Sequence, residues 1–474
     1  MNSPLPPSAA KAPGDTSEVE LYEVRQKIYP RAVTGLFAGW RWSTVWLTQL
    51  VFYGLPWLTW NDRPAVLFAL NERRFYLFGI VLYPQDFIYL TGLLVVAALS
   101  LFLFTAVAGR LWCGYACPQT VYTEIFMWIE RRIEGDRPKR IRLDREPMSA
   151  RKFAVKSTKH ALWLGVAVWT GITFVGFFTP IRTLLGEIAS ASLGSWETFW
   201  VVFYGFATYG NAGFMREQVC KYMCPYARFQ SAMFDRDTLI ITYDGDRGEP
   251  RGPRSKKADP KGLGLGDCVN CGLCVEVCPT GIDIRKGLQY ECIGCAACVD
   301  ACDKVMDRMG YARGLIRYDT ENGLANKWNR SQLTRRVVRP RVLVYTGVLL
   351  AITVALFTHL ALRTPLKVDI IRDRGSLGRE VENGEIENVY RLQFINSAET
   401  GKRYRVTVSG IDTIRISSES EVSVEGAGTR MVPVRVRVDA GKGTPGTNRI
   451  EFAIEAVDDK RVSVHEASTF YIPR

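Results

Sequence analysis

The sequence contains no GxGxxG in a strand-to-helix context and no Walker loop, so neither a Rossmann dinucleotide site nor a P-loop is expected. Its one glycine run, Gly262 to Gly266, lacks a lysine and leads straight into a cysteine motif, so it is read as a linker. The first forty residues hold no apolar core of signal-peptide type. Their opening stretch, rich in Pro, Ser and Ala, is read as a disordered tail over 1–35. Five windows lack Asp, Glu, Lys and Arg altogether: Trp42 to Trp60, Phe87 to Gly109, Ala161 to Ile181, Thr198 to Met215, and Val342 to Leu362. A helix rising about 1.5 Å per residue needs roughly 20 apolar residues to cross a bilayer. Those windows exclude a purely soluble chain. Residues 366–474 carry no Cys and a single His, His465, so no catalytic constellation is expected there.

The formal net charge of +13 suggests nucleic acid or a membrane surface. No base-reading motif is present, so nucleic acid is not an expected partner. Instead 39 of the 61 Lys and Arg residues fall in alternate segments, 1–41, 110–160 and 216–341, which places those segments on the cytoplasmic side. Membrane lipid is the expected surroundings of the helices between them. Beyond the fifth window, alternating stretches such as VYRLQFIN and VPVRVRV are separated by turns such as AGKGTPGTN. They predict an all-β sandwich on the opposite side of the membrane.

What the chain does have is twelve cysteines, eight of them within thirty-five residues. Cys268, Cys271, Cys274 and Cys278, followed by Pro279, form one run; Cys292, Cys295, Cys298 and Cys302 form the second. This is the spacing of a two-cluster bacterial ferredoxin, in which the fourth Cys of each run crosses to the other cluster. Cys268, Cys271, Cys274 and Cys302 are therefore expected to hold one [4Fe–4S] cluster, and Cys292, Cys295, Cys298 and Cys278 the other. Gly272, Gly294, Ala296 and Ala297 let the chain wrap closely. Structural zinc prefers two separated pairs, so two runs of four argue against it. Asp303 rather than Pro follows the second run, which removes no ligand.

The other four cysteines lie in a repeated CxxxCP motif: Cys113 and Cys117 before Pro118, Cys220 and Cys224 before Pro225, with Tyr115 matching Tyr222. Each follows a two-span hairpin, so the membrane part reads as a duplication that brings four thiols together beside the ferredoxin loop. On a helix, Cys-x3-Cys would put both sulfurs on one face, and the Pro suits a helix start or a kink. Such pairs can bind Cu(I) or cycle to a disulfide, or they can be buried packing residues. Met215, Met223, Met306 and Met309, with His160 and His359, are lesser metal candidates whose ordinary role is packing.

These features together resemble the CcoG/FixG/RdxA family of cytochrome c oxidase accessory proteins. The duplicated CxxxCP, the ferredoxin insert ending CVDACDKVMDRMGYARGLIRY, and RTPLKVDIIRDRG leading into a β domain carry the resemblance. The membrane repeat also resembles NapH- and NosR-type ferredoxins. The resemblance implies a multi-domain integral membrane protein of the bacterial inner membrane. It would comprise a membrane region over 36–250, a ferredoxin-like α+β domain over 251–325, a linker and fifth span over 326–365, and a periplasmic immunoglobulin-like sandwich over 366–474. It implies a cupric reductase serving the cbb3-type oxidase, with Cys113, Cys117, Cys220 and Cys224 matching the family's membrane thiols and copper as substrate or transient ligand. Implied partners are copper chaperones, oxidase subunits or assembly factors, an unidentified electron donor and a second copy in a homodimer. Two rival readings remain: a quinol-to-ferredoxin electron-transfer subunit, and a non-enzymatic iron–sulfur scaffold or redox sensor.

Overall fold

The computed structural model describes residues 27–259, 262–373, 375 and 378–473. The tail expected over 1–35 therefore lies mostly outside the described residues. The part that is described does not hang free. Tyr29 donates its hydroxyl to Asp144 at 2.7 Å, the Ala32 amide donates to Asp136, and the Arg31 amide donates to the Glu276 carbonyl.

Five long helices follow the five charge-poor windows: α1 (Leu36–Gly54), α2 (Phe87–Ala108), α4 (Ala150–Val175), α5 (Ser195–Gly213) and α7 (Pro340–Ala361). Two more, α3 (Pro118–Glu134) and α6 (Ala297–Met309), lie between them in the chain. Among the described residues, two helices, Pro84–Ala108 and Pro340–Ala361, are long and apolar enough to cross a membrane. They pack side by side, joined at one end by a 2.9 Å hydrogen bond between Tyr89 and His359.

The window Trp42 to Trp60 misplaces α1 by six residues. The helix starts at Leu36 and takes in Arg41, a buried residue whose guanidinium donates to the Cys295 carbonyl at 2.5 Å. It ends where Pro56 enters a 3-10 turn, and Thr59–Trp60 is already a strand. Helix α4 likewise begins eleven residues before its window. Ser149 caps it, and Lys156 and Lys159 on its first turns pair with buried Glu134. A charge satisfied by protein does not end a helix. Between α4 and α5 the backbones nearly touch: a Cβ on Gly171 would lie 2.4 Å from the Val201 carbonyl oxygen. Small residues permit such approach where helices meet without bulky side chains between them.

The connections segregate to two ends. Strands Val66–Ala69, Arg74–Leu77 and Ile80–Leu82 form an antiparallel sheet that packs on Ile395 of the C-terminal domain, and Arg63 pairs with Glu399 there at 2.5 Å. At the other end α3 and the segment after it meet the cysteine-rich module. That module starts earlier than residue 251, because strand Ile240–Tyr243 pairs antiparallel with Ile316–Asp319.

The C-terminal domain is a two-sheet antiparallel sandwich. One sheet orders Arg415–Ile416, Thr429–Val438, Ile386–Asn396 and Leu366–Arg372, with Arg379–Glu380 paired beside Ile386–Asn396. The other orders Glu421–Val424, Lys402–Ser409, Gly446–Ala456 and Ser463–Ile472. Side chains alternate across a strand, so Val434, Val436 and Val438 are buried while Arg435 and Arg437 face out. Tyr390, Phe394, Tyr404, Phe452 and Phe470 fill the space between the sheets.

Candidate functional site

The two cysteine runs fold as a repeat. In the first, Asn270 and Gly272 flank Cys271 with φ of 52° and 70°; in the second, Gly294 and Ala296 flank Cys295 with φ of 69° and 55°. A left-handed residue on each side of a cysteine curls the loop and turns amides inward. Glycine takes that conformation freely, and Ala296 takes it against a steric penalty. Each loop then enters a helix, Leu273–Glu276 and α6, which carries the third cysteine of its run.

Two cavities result. The first is lined by Cys268, Cys271, Cys274 and Cys302, with Tyr243, Arg285 and Met306 beside them. The second is lined by Cys278, Cys292, Cys295 and Cys298, closed by Ile241, Ile284 and Ile293. Each cavity thus joins three cysteines of one run to the fourth of the other, and Cys274 borders both. Four soft sulfurs around an apolar void fit the donor set of a cubane cluster. No disulfide links any of the twelve cysteines. Among the described residues no three His, Cys, Asp or Glu side chains stand close enough for a single metal ion. Sulfurs arranged around a four-iron core are set wider apart than ligands of one ion.

The CxxxCP motifs do not lie on continuous helices. Cys113 sits in a short helix, Leu111–Tyr115, and Cys220 in a π-turn, Val219–Met223. Cys117 and Cys224 are extended residues, each capping a new helix that begins at Pro118 or Pro225. A residue before proline is pushed out of the helical region, and proline at the first helical position is favourable. Each proline therefore starts a new helix, and the two cysteines of a motif share no helix face. The duplication still brings the four thiols together. Burial pushes the Cys113 thiol up to about 12, with Cys117, Cys220 and Cys224 adding to the rise and Arg110 opposing it. Burial likewise pushes Cys220 up to about 11. The Cys113 thiol donates to the Gln230 side-chain oxygen at 3.2 Å.

This thiol group abuts the second cavity. A Cβ on Gly114 would lie 2.8 Å from the Ile293 carbonyl oxygen and 2.9 Å from Cys295 Cα. Only glycine lets the motif helix lie flat on that loop. Cys113 and Cys220 join the apolar cluster around Ile293 and Cys295. Two buried arginines, missed in the sequence, hold the arrangement. Arg41 donates to the Cys295 carbonyl, and Arg110 donates to the carbonyls of Tyr290 and Ala227. Asp300, between Cys298 and Cys302 on α6, accepts the Phe37 and Ala38 amides at 3.1 and 2.7 Å. It caps α1, which has no capping side chain of its own. The signal for Arg110 was its place three residues before Cys113; Arg41 and Asp300 carry none visible in sequence.

The lesser candidates find other partners. His160 bonds the Tyr209 hydroxyl at 2.9 Å and stacks on Phe214, and His359 bonds Tyr89. Met306 is buried at the first cavity. Met309 packs in the apolar cluster beneath that cavity, and Met223 is exposed.

Residues 215–321 match a model described as a 4Fe–4S dicluster domain, and residues 90–135 one described as a 4Fe–4S binding domain. Residues 356–473 match the IG-like fold at the C-terminal of FixG. The chain is 39% identical to Protein RdxB of Cereibacter sphaeroides over 441 residues, covering 91% of this chain and 92% of that one. It is 37% identical to the nitrogen fixation protein FixG of Rhizobium meliloti over 488 residues, covering 95% and 93%. The crystal structure of a FixG-related protein from Vibrio parahaemolyticus is 25% identical, covers 23% of this chain and 96% of that one, and superposes with a TM-score of 0.21.

Proposed function

The chain belongs to the family of FixG, RdxA and RdxB, and from that we propose that this iron–sulfur redox protein is a membrane-bound cupric reductase. It passes single electrons to Cu(II) at the CxxxCP thiols and releases Cu(I) for assembly of a cbb3-type oxidase. Cys268, Cys271, Cys274 and Cys302 hold one [4Fe–4S] cluster, and Cys278, Cys292, Cys295 and Cys298 the other; the pairing of the cysteines around the two cavities supports this division. When bound, the clusters supply one-electron transfer.

The observation that carries the reading is the contact of the first CxxxCP helix with the second cavity, backbone on backbone at Gly114. A substrate held by Cys113, Cys117, Cys220 or Cys224 would stand beside Cys295, with only the motif helix and its loop between. Each cycle takes one electron and turns Cu(II) into Cu(I). Thiolates are soft ligands and favour the reduced ion.

The five long helices cross the bacterial inner membrane, with the cysteine module in the cytoplasm and the β-sandwich in the periplasm. The segregation of connections to two ends supports this, as do the exposed apolar side chains Trp46, Leu50, Phe199 and Phe206 on α1 and α5, which suit a lipid surround. A copper chaperone or the oxidase itself takes the Cu(I), and the protein works as a homodimer. The test is the quadruple change of Cys113, Cys117, Cys220 and Cys224 to Ser. Iron content should stay near that of the parent while Cu(II) reduction, followed with a Cu(I)-specific chromophore, is lost. Wild-type reduction by an iron-replete variant would overturn the role of the thiols.

A further inference from the structure

At the end of α2 and α7 nearest the β-sandwich, the two helices leave a groove of about 860 Å³. Its long wall is one face of α7. Ala351, Val354, Ala355, Thr358 and Leu362 recur there at helical spacing, and all are exposed. Ile88 of α2 borders the same space and is 63% exposed. Alanine is the smallest side chain that still favours a helix, so Ala351 and Ala355 keep the face hollow. From Ala351 to Leu362 the helix rises about 16 Å. That is close to the hydrocarbon depth of one leaflet, about 15 Å.

One end of the groove is polar. Gln85, Thr358 and Thr364 are exposed there, and their side chains make no hydrogen bond among the described residues. Arg363 and Lys367 follow just past the end of α7, and Asp86 is the one acid of the lining among the described residues. Asp86 is buried and pairs with both cations, at 3.2 Å to Arg363 and 2.5 Å to Lys367. One positive charge is left over. It falls to Lys367, whose side chain is a third exposed. Arg363 is only a tenth exposed and gives a further hydrogen bond to the Val81 carbonyl. An ammonium has three donors, and Asp86 takes one of those on Lys367.

An apolar trough that ends in a surplus cation and uncharged donors fits one kind of molecule. A fatty-acyl chain fills the trough, and a phosphate meets the cation. Basic groups at the end of a span attract anionic lipid. A free anion would leave the trough uncovered, and a plain hydrocarbon would leave the cation uncompensated. We propose that the groove binds a diacyl phospholipid with an anionic headgroup, of the phosphatidylglycerol class, in the leaflet nearest the β-sandwich. Lys367 takes the phosphate, with Gln85, Thr358 and Thr364 around it. An acyl chain lies along Ala351, Val354 and Ala355. A zwitterionic lipid binds less well, because its own cation would stand beside Lys367 and Arg363. The lipid sits at the joint between spans and sandwich, where the Tyr89–His359 bond and the Asp86–Lys367 pair also border the groove. The proposal rests on the reading of α2 and α7 as membrane spans and is independent of iron and copper.

The test uses the full-length protein, purified in detergent and freed of lipid. Phosphatidylglycerol and phosphatidylcholine with identical acyl chains are titrated, and the first bound lipid is counted by native mass spectrometry. Phosphatidylglycerol should bind at least about fivefold more tightly, the worth of one basic residue at a lipid surface. Lys367→Gln, which keeps a donor for Asp86, should abolish that preference. Ala355→Phe fills the trough from an exposed position. It should weaken phosphatidylglycerol binding by about tenfold and keep the parent's melting temperature. Glycerophosphoglycerol, the headgroup without its chains, should not compete at about 1 mM, which separates a lipid site from a phosphate site. Equal affinity for both lipids, competition by the bare headgroup, or variants that bind like the parent would each overturn the proposal. So would loss of a dimer in Ala355→Phe with lipid binding intact, which would mark the face as a contact between copies. Recovery of the protein from cells in the soluble fraction would overturn the spans and the proposal together, whereas unselective lipid binding by membrane-bound protein overturns the proposal alone.

Discussion

Arg41 is a buried cation placed on the Cys295 peptide, and with the proposed cluster bound there its charge should be measurable as a reduction potential. Its guanidinium donates to the Cys295 carbonyl at 2.5 Å and is 6% exposed. A reduced cluster carries one more negative charge than an oxidised one, so a nearby cation favours reduction. Taking roughly 8 Å from the guanidinium to the centre of the second cavity and an effective dielectric of about 20, Coulomb's law gives about 2 kcal/mol. For a one-electron couple, at about 59 mV per factor of ten, that is about 90 mV. Arg41→Gln keeps a donor for the carbonyl and removes the charge. The potential of one cluster should fall by about that amount while the other stays within a third of it. A potentiometric titration followed by low-temperature EPR reads both. If neither potential moves, or both fall together, Arg41 does not act on the second site and the electrostatic argument fails.

Other outcomes follow from contacts of the same kind. Asp300→Ala removes the acceptor of the Phe37 and Ala38 amides. A lost cap costs about 0.5–2 kcal/mol, so deuterium exchange in the peptide spanning 33–42 should speed by up to about thirtyfold, and unchanged exchange would refute the cap. Gly171→Val forces a side chain into the Val201 carbonyl of α5, so the protein should aggregate or melt far earlier in detergent; a parent-like melting curve would show that α4 and α5 do not pack as described. Glu387 is buried in the sandwich, and although burial opposes its charge, Arg437 and Arg379 hold its carboxyl below the usual range. The stability from this group is therefore present above the unfolded carboxylate value near 4.3 and is lost as pH falls through the lower folded value. Acid unfolding followed by circular dichroism should show that loss, and Glu387→Gln should flatten it.

The cysteine module and the sandwich were legible because their signals are local. Two runs of CxxCxxCxxxC specify a loop whose sulfurs have few ways to converge, and VPVRVRV shows its buried face residue by residue. Helix limits were less legible, because a window free of charge marks apolar side chains rather than helical backbone. Arg41 and Lys159 lie on helices and are buried, each satisfied by a partner more than twenty residues away, and half-buried Lys156 pairs with Glu134 and Asp144. The geometry of the CxxxCP pairs was half legible. The prolines announced new helices, but the cysteines' common helix face assumed a continuity that those same prolines remove. Arg41 and Asp300 had no sequence signal because their roles come from tertiary contact alone.

Only two of the five long helices are apolar enough to pass for membrane spans on composition, and the charges on α1 and α4 have a structural cause. Helix α1 carries Arg41 into the module, and α4 brings Lys156 and Lys159 to Glu134. Just past the end of α5, Arg216 pairs with Glu130, which also holds Arg140. These charges all gather at one end of the helices, under the thiols and the second cysteine cavity. By contrast α2 and α7 meet each other along their length and carry the β-sandwich at the far end, where Arg363 and Lys367 pair with Asp86. The division follows from load. Helices that must anchor a redox module need polar side chains at that end, and each such residue lowers their apparent hydrophobicity. If so, replacing the Lys159–Glu134 pair with Leu and Met should raise the apolar character of α4 yet weaken the seating of α3. That would appear as faster exchange along 118–134 with the cluster signals retained. Unchanged exchange there would mean that the buried charges serve no anchoring role.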